Sequence, residues 1–207
     1  MVGGERRLEH KRREILGASR ALFVTEGYAD TGMEVVARQA GVSTATLYAH
    51  FPSKADLFRV TVDDLIAEAA ENLGGGGPGE SAKARLTAFT KSYAAFCASP
   101  ATRAVLRMVC AERRRFDHNA QSIEERLHDE VGGVVIRLIS ELADAGALSV
   151  EKPSWAASHL LGMIEHATLL YGLVRGDAAQ AGRPVDAICE DAVVTFLARY
   201  GVKDRAG

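Results

Sequence analysis

Residues Thr31–Phe58 read TGMEVVARQAGVSTATLYAHFPSKADLF, and within this one stretch three helix signals are separated by two tight breaks. From Met33 to Ala40, Val36, Ala37 and Ala40 recur on one apolar face, and Gly41 then permits the left-handed backbone that a sharp turn needs. Ser43 follows as an N-cap whose hydroxyl accepts from the first unpaired N–H groups of a short helix, Thr44 to His50, with Leu47 as its inward anchor. Two short helices joined by a three-residue turn containing glycine make a helix-turn-helix, and a small residue such as Ala37 suits the point where they cross. In such a motif the second helix enters the major groove of DNA.

Phe51-Pro52 ends that helix, because the residue before proline is driven out of the α region, and Ser53-x-x-Asp56 opens a third helix with a capping box. Lys54 falls in its first turn, where an ammonium works against the helix macrodipole. A phosphate docked at that N-terminus accounts for the lysine most simply.

The run AGVSTATLYAHFPSKADLF resembles the tetracycline-repressor (TetR) family of one-component bacterial regulators, whose usual pattern is AGVS-x-x-x-LY-x-HF-x-SK-x-x-L. The resemblance is strong from Lys11 to Phe58 and continues beyond only as helix spacing. Gly32 departs from the Ser or Thr frequent in the family, and Thr44-Ala45 from a basic residue followed by glycine. The resemblance implies that Thr44, Ala45 and Thr46 face base edges while Thr31, Tyr48, His50 and Lys54 hold phosphates, with Ser43 capping the reading helix and Ala49 on it. That helix carries no Arg, Asn or Gln for bidentate contacts, so the thymine methyl is its apolar target and DNA shape contributes to specificity.

The 207 residues suffice for a sizeable core in one or two domains. A net charge of -2 conceals an asymmetry: residues 1–54 carry eight Lys/Arg against six Asp/Glu, and the excess of acid lies in the remainder. Such a balance speaks against indiscriminate nucleic-acid binding and for local, geometrically chosen contact. Cys97, Cys110 and Cys189 are odd in number and have no CxxC or histidine-spaced partners, which fits a reducing cytoplasm. No apolar run follows the charged N-terminus, so no signal peptide is expected. The most apolar segment, Trp155 to Val174, is interrupted by His159, Glu165 and His166, and is expected to be a buried helix rather than a membrane span.

Taken in order, residues 1–13 begin with Val2-Gly3-Gly4 and become basic at Arg6, Arg7, Lys11, Arg12 and Arg13. Two readings fit them, a frayed solvated terminus and a phosphate-contacting arm. Lys11 to Glu26 carries Ile15, Ala18, Leu22 and Phe23 at helical spacing and ends at Gly27. The helix from Ser53 runs to Leu73, long enough to bridge head and body, and GGGGPG at 74–79 is expected to be a flexible linker, since no strand precedes it and no Gly-Lys-Ser/Thr follows. Leu86, Phe89, Tyr93, Phe96 and Cys97 form one stripe, and Pro100 opens a helix through Met108 that ends at the basic cluster Arg113–Arg115. Leu127 to Leu142 is a clean amphipathic helix interrupted by Gly132-Gly133, where a kink, a close neighbour or plain sequence drift all fit. Trp155–Arg175 is apolar nearly all round; His159 and His166 stand two turns apart on it, too far for chelation by one helix. Pro184 opens the last helix, which carries Val185, Ile188, Val193, Phe196, Leu197 and Tyr200.

The expected fold is all-α: a three-helix helix-turn-helix DNA-binding domain over residues 11–58, then a helical ligand-binding and dimerisation domain over 59–207. The expected function is a ligand-responsive transcriptional regulator, a repressor, that binds a near-palindromic double-stranded operator as a homodimer and is released by a small apolar or aromatic effector. The effector pocket is assigned to Phe89, Tyr93, Phe96, Met108, His159, Met163 and His166, and the two-fold interface to Leu161, Leu169, Leu173, Ile188, Val193, Phe196 and Leu197. No cofactor, metal or membrane partner is called for. Two rivals are a constitutive DNA-binding dimer and an all-α enzyme; the latter lacks a nucleophile with a base and an orienting group at readable spacing.

Overall fold

The computed structural model describes residues 2–77, 79–111, 123, 125–177 and 182–202. Among these the regular structure is all helical, and the only β pairing is an isolated bridge between Leu148 and Gly201. The helices are α1 (Val2–Asp30), α2 (Met33–Gln39), α3 (Thr44–His50), α4 (Lys54–Asn72), α5 (Ala82–Ala98), α6 (Pro100–Ala111), α7 (Gly133–Asp144), α8 (Pro153–Glu165), α9 (Tyr171–Arg175) and α10 (Val185–Tyr200). One π-helical turn, Leu127–Gly132, leads into α7, and another, His166–Leu170, joins α8 to α9. The chain divides into two compact units, Met1–Leu65 with Ala104–Ile123, and Ile66–Arg103 with Glu124–Gly207.

The first unit is built round an aromatic cluster. The Phe58 ring meets Phe23 and Tyr28 edge-on at 5.2 and 5.1 Å, and Phe23 stacks on Tyr28 at 6.0 Å. Gly27, with φ 82°, breaks α1 where the helix was expected to end and returns Tyr28 onto Phe23. A buried hydrogen bond of 2.7 Å between the hydroxyls of Ser19 and Thr61 ties α1 to α4. At the other end α1 begins at Val2, well before the Lys11 expected from spacing.

In the second unit α5 and α8 pack against α10, and α7 packs on α8. Leu86, Phe89, Ala94, Leu160, Ile164 and Val193 are among the fully buried side chains. The last helix is also fastened through its backbone, Ser149 N–H donating to Tyr200 O at 2.7 Å and Val202 N–H to Ala147 O at 3.1 Å.

Two sequence expectations change here. The glycine run after α4 was expected to be flexible, yet Arg85 Nε donates to Gly75 O at 3.0 Å while its Nη2 pairs with Glu141 at 2.6 Å. A Cβ on Gly75 would stand 3.4 Å from Leu138, so the glycine admits a close approach of chain to α7. Gly132-Gly133 coincide with the end of the π turn and the start of α7, which gives the pair its physical reason: a wide turn inserted into a helix. The cluster Arg113–Arg115 lies outside the described residues.

Candidate nucleic-acid interface and helical body

The turn between α2 and α3 forms as its residues dictate. Gly41 takes φ +65°, Gly41 N–H donates to Arg38 O at 3.2 Å, and Val42 N–H donates to Ala37 O at 3.0 Å. Ser43 Oγ accepts from Thr46 N–H at 3.1 Å, so α3 is capped as its sequence requires. Leu47, with no exposed surface, anchors α3 inward, whereas Thr44, Ala45, Tyr48 and Ala49 are all exposed. These four form the outward surface of the reading helix. Thr46 is half-buried and shares a 2.8 Å hydroxyl contact with Ser43, so it also takes part in the cap. His50 lies at the end of α3, its ring 6.3 Å from that of Phe51.

Two phosphate assignments meet competing partners. Thr31 is 2% exposed and donates its hydroxyl to Gly27 O at 2.7 Å, which makes it a bolt across the α1 break. Lys54 Nζ donates to Ala29 O at 2.8 Å and lies 4.7 Å from the Tyr28 ring centroid. A carbonyl at the end of α1 and an aromatic face thus engage this ammonium within the chain. Local sequence could not reveal them, because they lie twenty-five residues away.

Of the residues assigned to a pocket, Phe89, Tyr93 and Phe96 make one run of ring contacts, while Met163 and His166 line separate recesses of the helical body. Phe89 and Tyr93 are buried and stacked at 5.8 Å, and Tyr93 tilts against Phe96 at 6.2 Å. The Tyr93 hydroxyl donates to the Glu165 carboxylate. Burial, reinforced by Cys97 and Glu165, raises the Tyr93 phenol far above its ordinary range, and burial pushes the Cys97 thiol up to about 12. His159 is exposed and shares a 2.6 Å contact with the Tyr200 hydroxyl. Met163 lines a recess of about 450 Å³ with Ala167, Tyr171, Ile188, Ala192 and Thr195, whereas His166 lines a different one of about 330 Å³ with Glu165, Leu169 and Leu173. Met108 belongs to the other unit.

The interface assignment divides similarly. Ile188, Val193 and Phe196 are 8%, 0% and 1% exposed within a single chain, so they form its own core and present nothing to a second copy. Leu161, Leu169, Leu173 and Leu197 are half-buried. The exposed stripe is instead Trp155, His159, Gly162, His166, Leu170 and Val174, with Val194 at 51% on α10. Spacings of three and four place all six on one side of the helical run from Pro153 to Arg175.

Sequence reading passed over Arg103. Its guanidinium is buried, donating to the carbonyls of Cys97 at 3.3 Å, Asp177 at 3.3 Å and Thr168, with the Asp177 carboxylate 3.7 Å away. Gly172 makes room for it: a Cβ there would lie 2.1 Å from Arg103 Cζ. A glycine in a helix interior marks a close approach, and Gly172 was that readable signal.

Residues 15–61 match the family model described as bacterial regulatory proteins, tetR family, and residues 84–202 match the C-terminal domain of AefR-like transcriptional repressors. Over 75 residues the chain is 37% identical to the HTH-type transcriptional activator FasR of Mycolicibacterium smegmatis, covering 32% of this chain and 34% of that one. The chain thus aligns with about a third of the length of this curated relative. A solved structure described as a TetR-family transcriptional regulator from Mesorhizobium loti MAFF303099 superposes with a TM-score of 0.80 at 25% identity, over 95% of this chain and 99% of that one. The Flavonoid-responsive Regulator FrrA superposes with a TM-score of 0.75, also at 25% identity, over 95% and 98%.

Proposed function

Because the chain belongs to the TetR family of bacterial transcriptional regulators, we propose that it is a homodimeric repressor that binds a near-palindromic operator and is released by a small apolar or aromatic effector. The observation that carries the DNA half of this reading is α3 itself, capped by Ser43, anchored by Leu47 and exposing Thr44, Ala45, Tyr48 and Ala49. Small methyl-bearing side chains suit thymine methyls, and the exposed Tyr48 offers a hydroxyl suited to a phosphate oxygen. Two-fold symmetry sets two such helices about 34 to 36 Å apart, or a multiple, on successive major grooves.

Dimerisation through the exposed Trp155–Val174 stripe supports that geometry, since an apolar helix face left in water is a standing reason to associate. Repression follows the description of the C-terminal family model, and a flavonoid-responsive neighbour at 25% identity favours an aromatic effector held in the body. The matching proteins are regulators, not enzymes. Among the described residues no helix is long and apolar enough to cross a membrane, and the proposed place of action is the cytoplasm, with the DNA.

The test is selection of genomic fragments by the purified protein, footprinting of those recovered, and titration with and without candidate effectors. Protected near-palindromes and a reciprocal effector–operator coupling of about 1 to 3 kcal/mol are expected. Binding with no preference over random duplex refutes the operator reading, and ligands that bind without changing DNA affinity refute the effector reading.

A further inference from the structure

Helix α8 and the π turn after it carry one exposed face, Trp155, His159, Gly162, His166 and Leu170, and the spacing along that face is symmetric. Trp155 pairs with Leu170, and His159 with His166, about a shared midpoint between residues 162 and 163, near the middle of the helical run 153–175. The π turn is wider than an α turn, so a spacing of four keeps Leu170 in line with His166. At the midpoint stands Gly162, exposed, with nothing within 4 Å of a Cβ built on it. A glycine inside a helix costs about 1 kcal/mol relative to alanine, and here it bares the backbone where a second helix can cross most closely.

A two-fold axis through that midpoint, perpendicular to the helix, runs the helix of a second copy antiparallel to the first, with opposed dipoles. Trp155, 64% exposed and the only tryptophan of the chain, then faces the partner's Leu170. Leu170 lies on the wall of the recess of about 330 Å³ that Gly162, Leu169 and Leu173 also line, a space that can seat an indole. In the same register His159 of each copy faces the partner's His166, about 5 Å along the helix from the axis. Side-chain chemistry at that meeting point suits a metal ion. His159 Nδ1 shares a 2.6 Å contact with the Tyr200 hydroxyl, which fixes the ring and leaves Nε2 for another partner. His166 is exposed, and the recess that it lines also includes Glu165, which Tyr93 holds through one carboxylate oxygen. Among the described residues no three His, Cys, Asp or Glu gather within a single chain to hold a metal. Two copies supply the set that one lacks.

We propose that paired copies share two transition-metal sites, one on each side of the two-fold axis, each built from His159 of one copy with the partner's His166 and the partner's Glu165. The sites rest on the dimer reading above. Imidazole nitrogens and one carboxylate suit Zn²⁺, and three protein donors leave a fourth position to water. Because neither chain holds a complete set, ion and partner each strengthen the binding of the other.

The experiment uses the full chain without a histidine tag, Zn²⁺ as the calorimetric probe, and sedimentation with Zn²⁺ or with a chelator. One ion bound per chain is expected, with a dimer at least about tenfold tighter in Zn²⁺ than in chelator. Emission from Trp155 should move to shorter wavelength as chains pair, and emission that ignores pairing overturns the register. His159→Gln and His166→Gln should each abolish Zn²⁺ binding; both positions are exposed, so neither change disturbs the core. Tyr200→Phe, which only releases the His159 ring, should weaken Zn²⁺ binding by about 10- to 100-fold. The two glutamine variants are then co-expressed under different cleavable tags and the mixed dimer is isolated. One site is rebuilt in it, His159 of the His166→Gln chain facing His166 of the His159→Gln chain, so one ion per mixed dimer should return. A mixed dimer that binds none overturns the sharing of the site between copies. A wild-type dimer without Zn²⁺ binding, or a His159→Gln dimer that keeps it, overturns the site while the dimer stands. A chain that stays monomeric in both Zn²⁺ and chelator overturns the dimer reading and the site with it.

Discussion

Replacing glycine by alanine inside a helix ordinarily stabilises a protein by up to about 1 kcal/mol. At Gly172 the sign should reverse. The new Cβ would lie 2.1 Å from Arg103 Cζ and 2.3 Å from Nε and Nη1, so the guanidinium must leave. It cannot move freely, because it is bound to the carbonyls of Cys97, Thr168 and Asp177 inside the second unit. Breaking a buried charge from its partners costs about 3 to 5 kcal/mol, and subtracting the helix gain leaves a net loss of about 2 to 4. For a chain of this length each kcal/mol moves the melting temperature by about 2 to 4 °C, so Gly172→Ala should melt roughly 4 to 16 °C lower. Circular dichroism at one fixed protein concentration measures this, since an assembling chain melts in a concentration-dependent way. Arg103→Met supplies the decisive background: with the guanidinium gone, Gly172→Ala should be neutral or mildly stabilising. A single Gly172→Ala that melts at or above wild type, or that loses the same stability in both backgrounds, would refute the reasoning.

Val174→Asp combined with Leu170→Asp should give a folded monomer by light scattering that has lost operator affinity; Phe196→Asp should instead fail to fold, because Phe196 lies in the chain's own core. Lys54→Met should lower stability by about 1 kcal/mol while leaving the salt slope of DNA binding unchanged, and a slope reduced by one unit would return Lys54 to the phosphates. Cys97 is protonated up to about 12 in the folded chain but only to about 8.5 when unfolded, so its contribution is whole below the lower value and declines as pH rises through the upper. Alkaline denaturation should accordingly be shallower in Cys97→Ala. In native protein a thiol reagent should label the exposed Cys110 well before the buried Cys97 and Cys189, and equal rates would contradict the burial.

The amino-acid sequence by itself determined whatever rests on free energies within a few residues. Ser43 caps α3, Gly41 turns the chain between α2 and α3, Gly27 ends the packed part of α1, and Leu47 is the inward residue of a helix whose other faces are polar or small. Each of these needs only neighbours, and each was legible. The all-α class followed from the same periodicities, and the family resemblance from one short run.

Tertiary structure alone decided which of several apolar faces turns inward and which partner a charge finds. On α10 Val193 and Val194 are adjacent in sequence and both valine, yet one is fully buried and the other half exposed. Where a helix is apolar on more than one side, periodicity cannot say which side meets α5, so Phe196 was assigned to an interface that the chain's own packing forecloses. Met163 and His166 stand three residues apart on one helical run, yet they line different recesses, while Phe89 stacks on Tyr93. Lys54 reaches Ala29, and Arg103 reaches Thr168 across sixty-five residues. These contacts are long-range, and their free energies arise only once the backbone has brought the elements together.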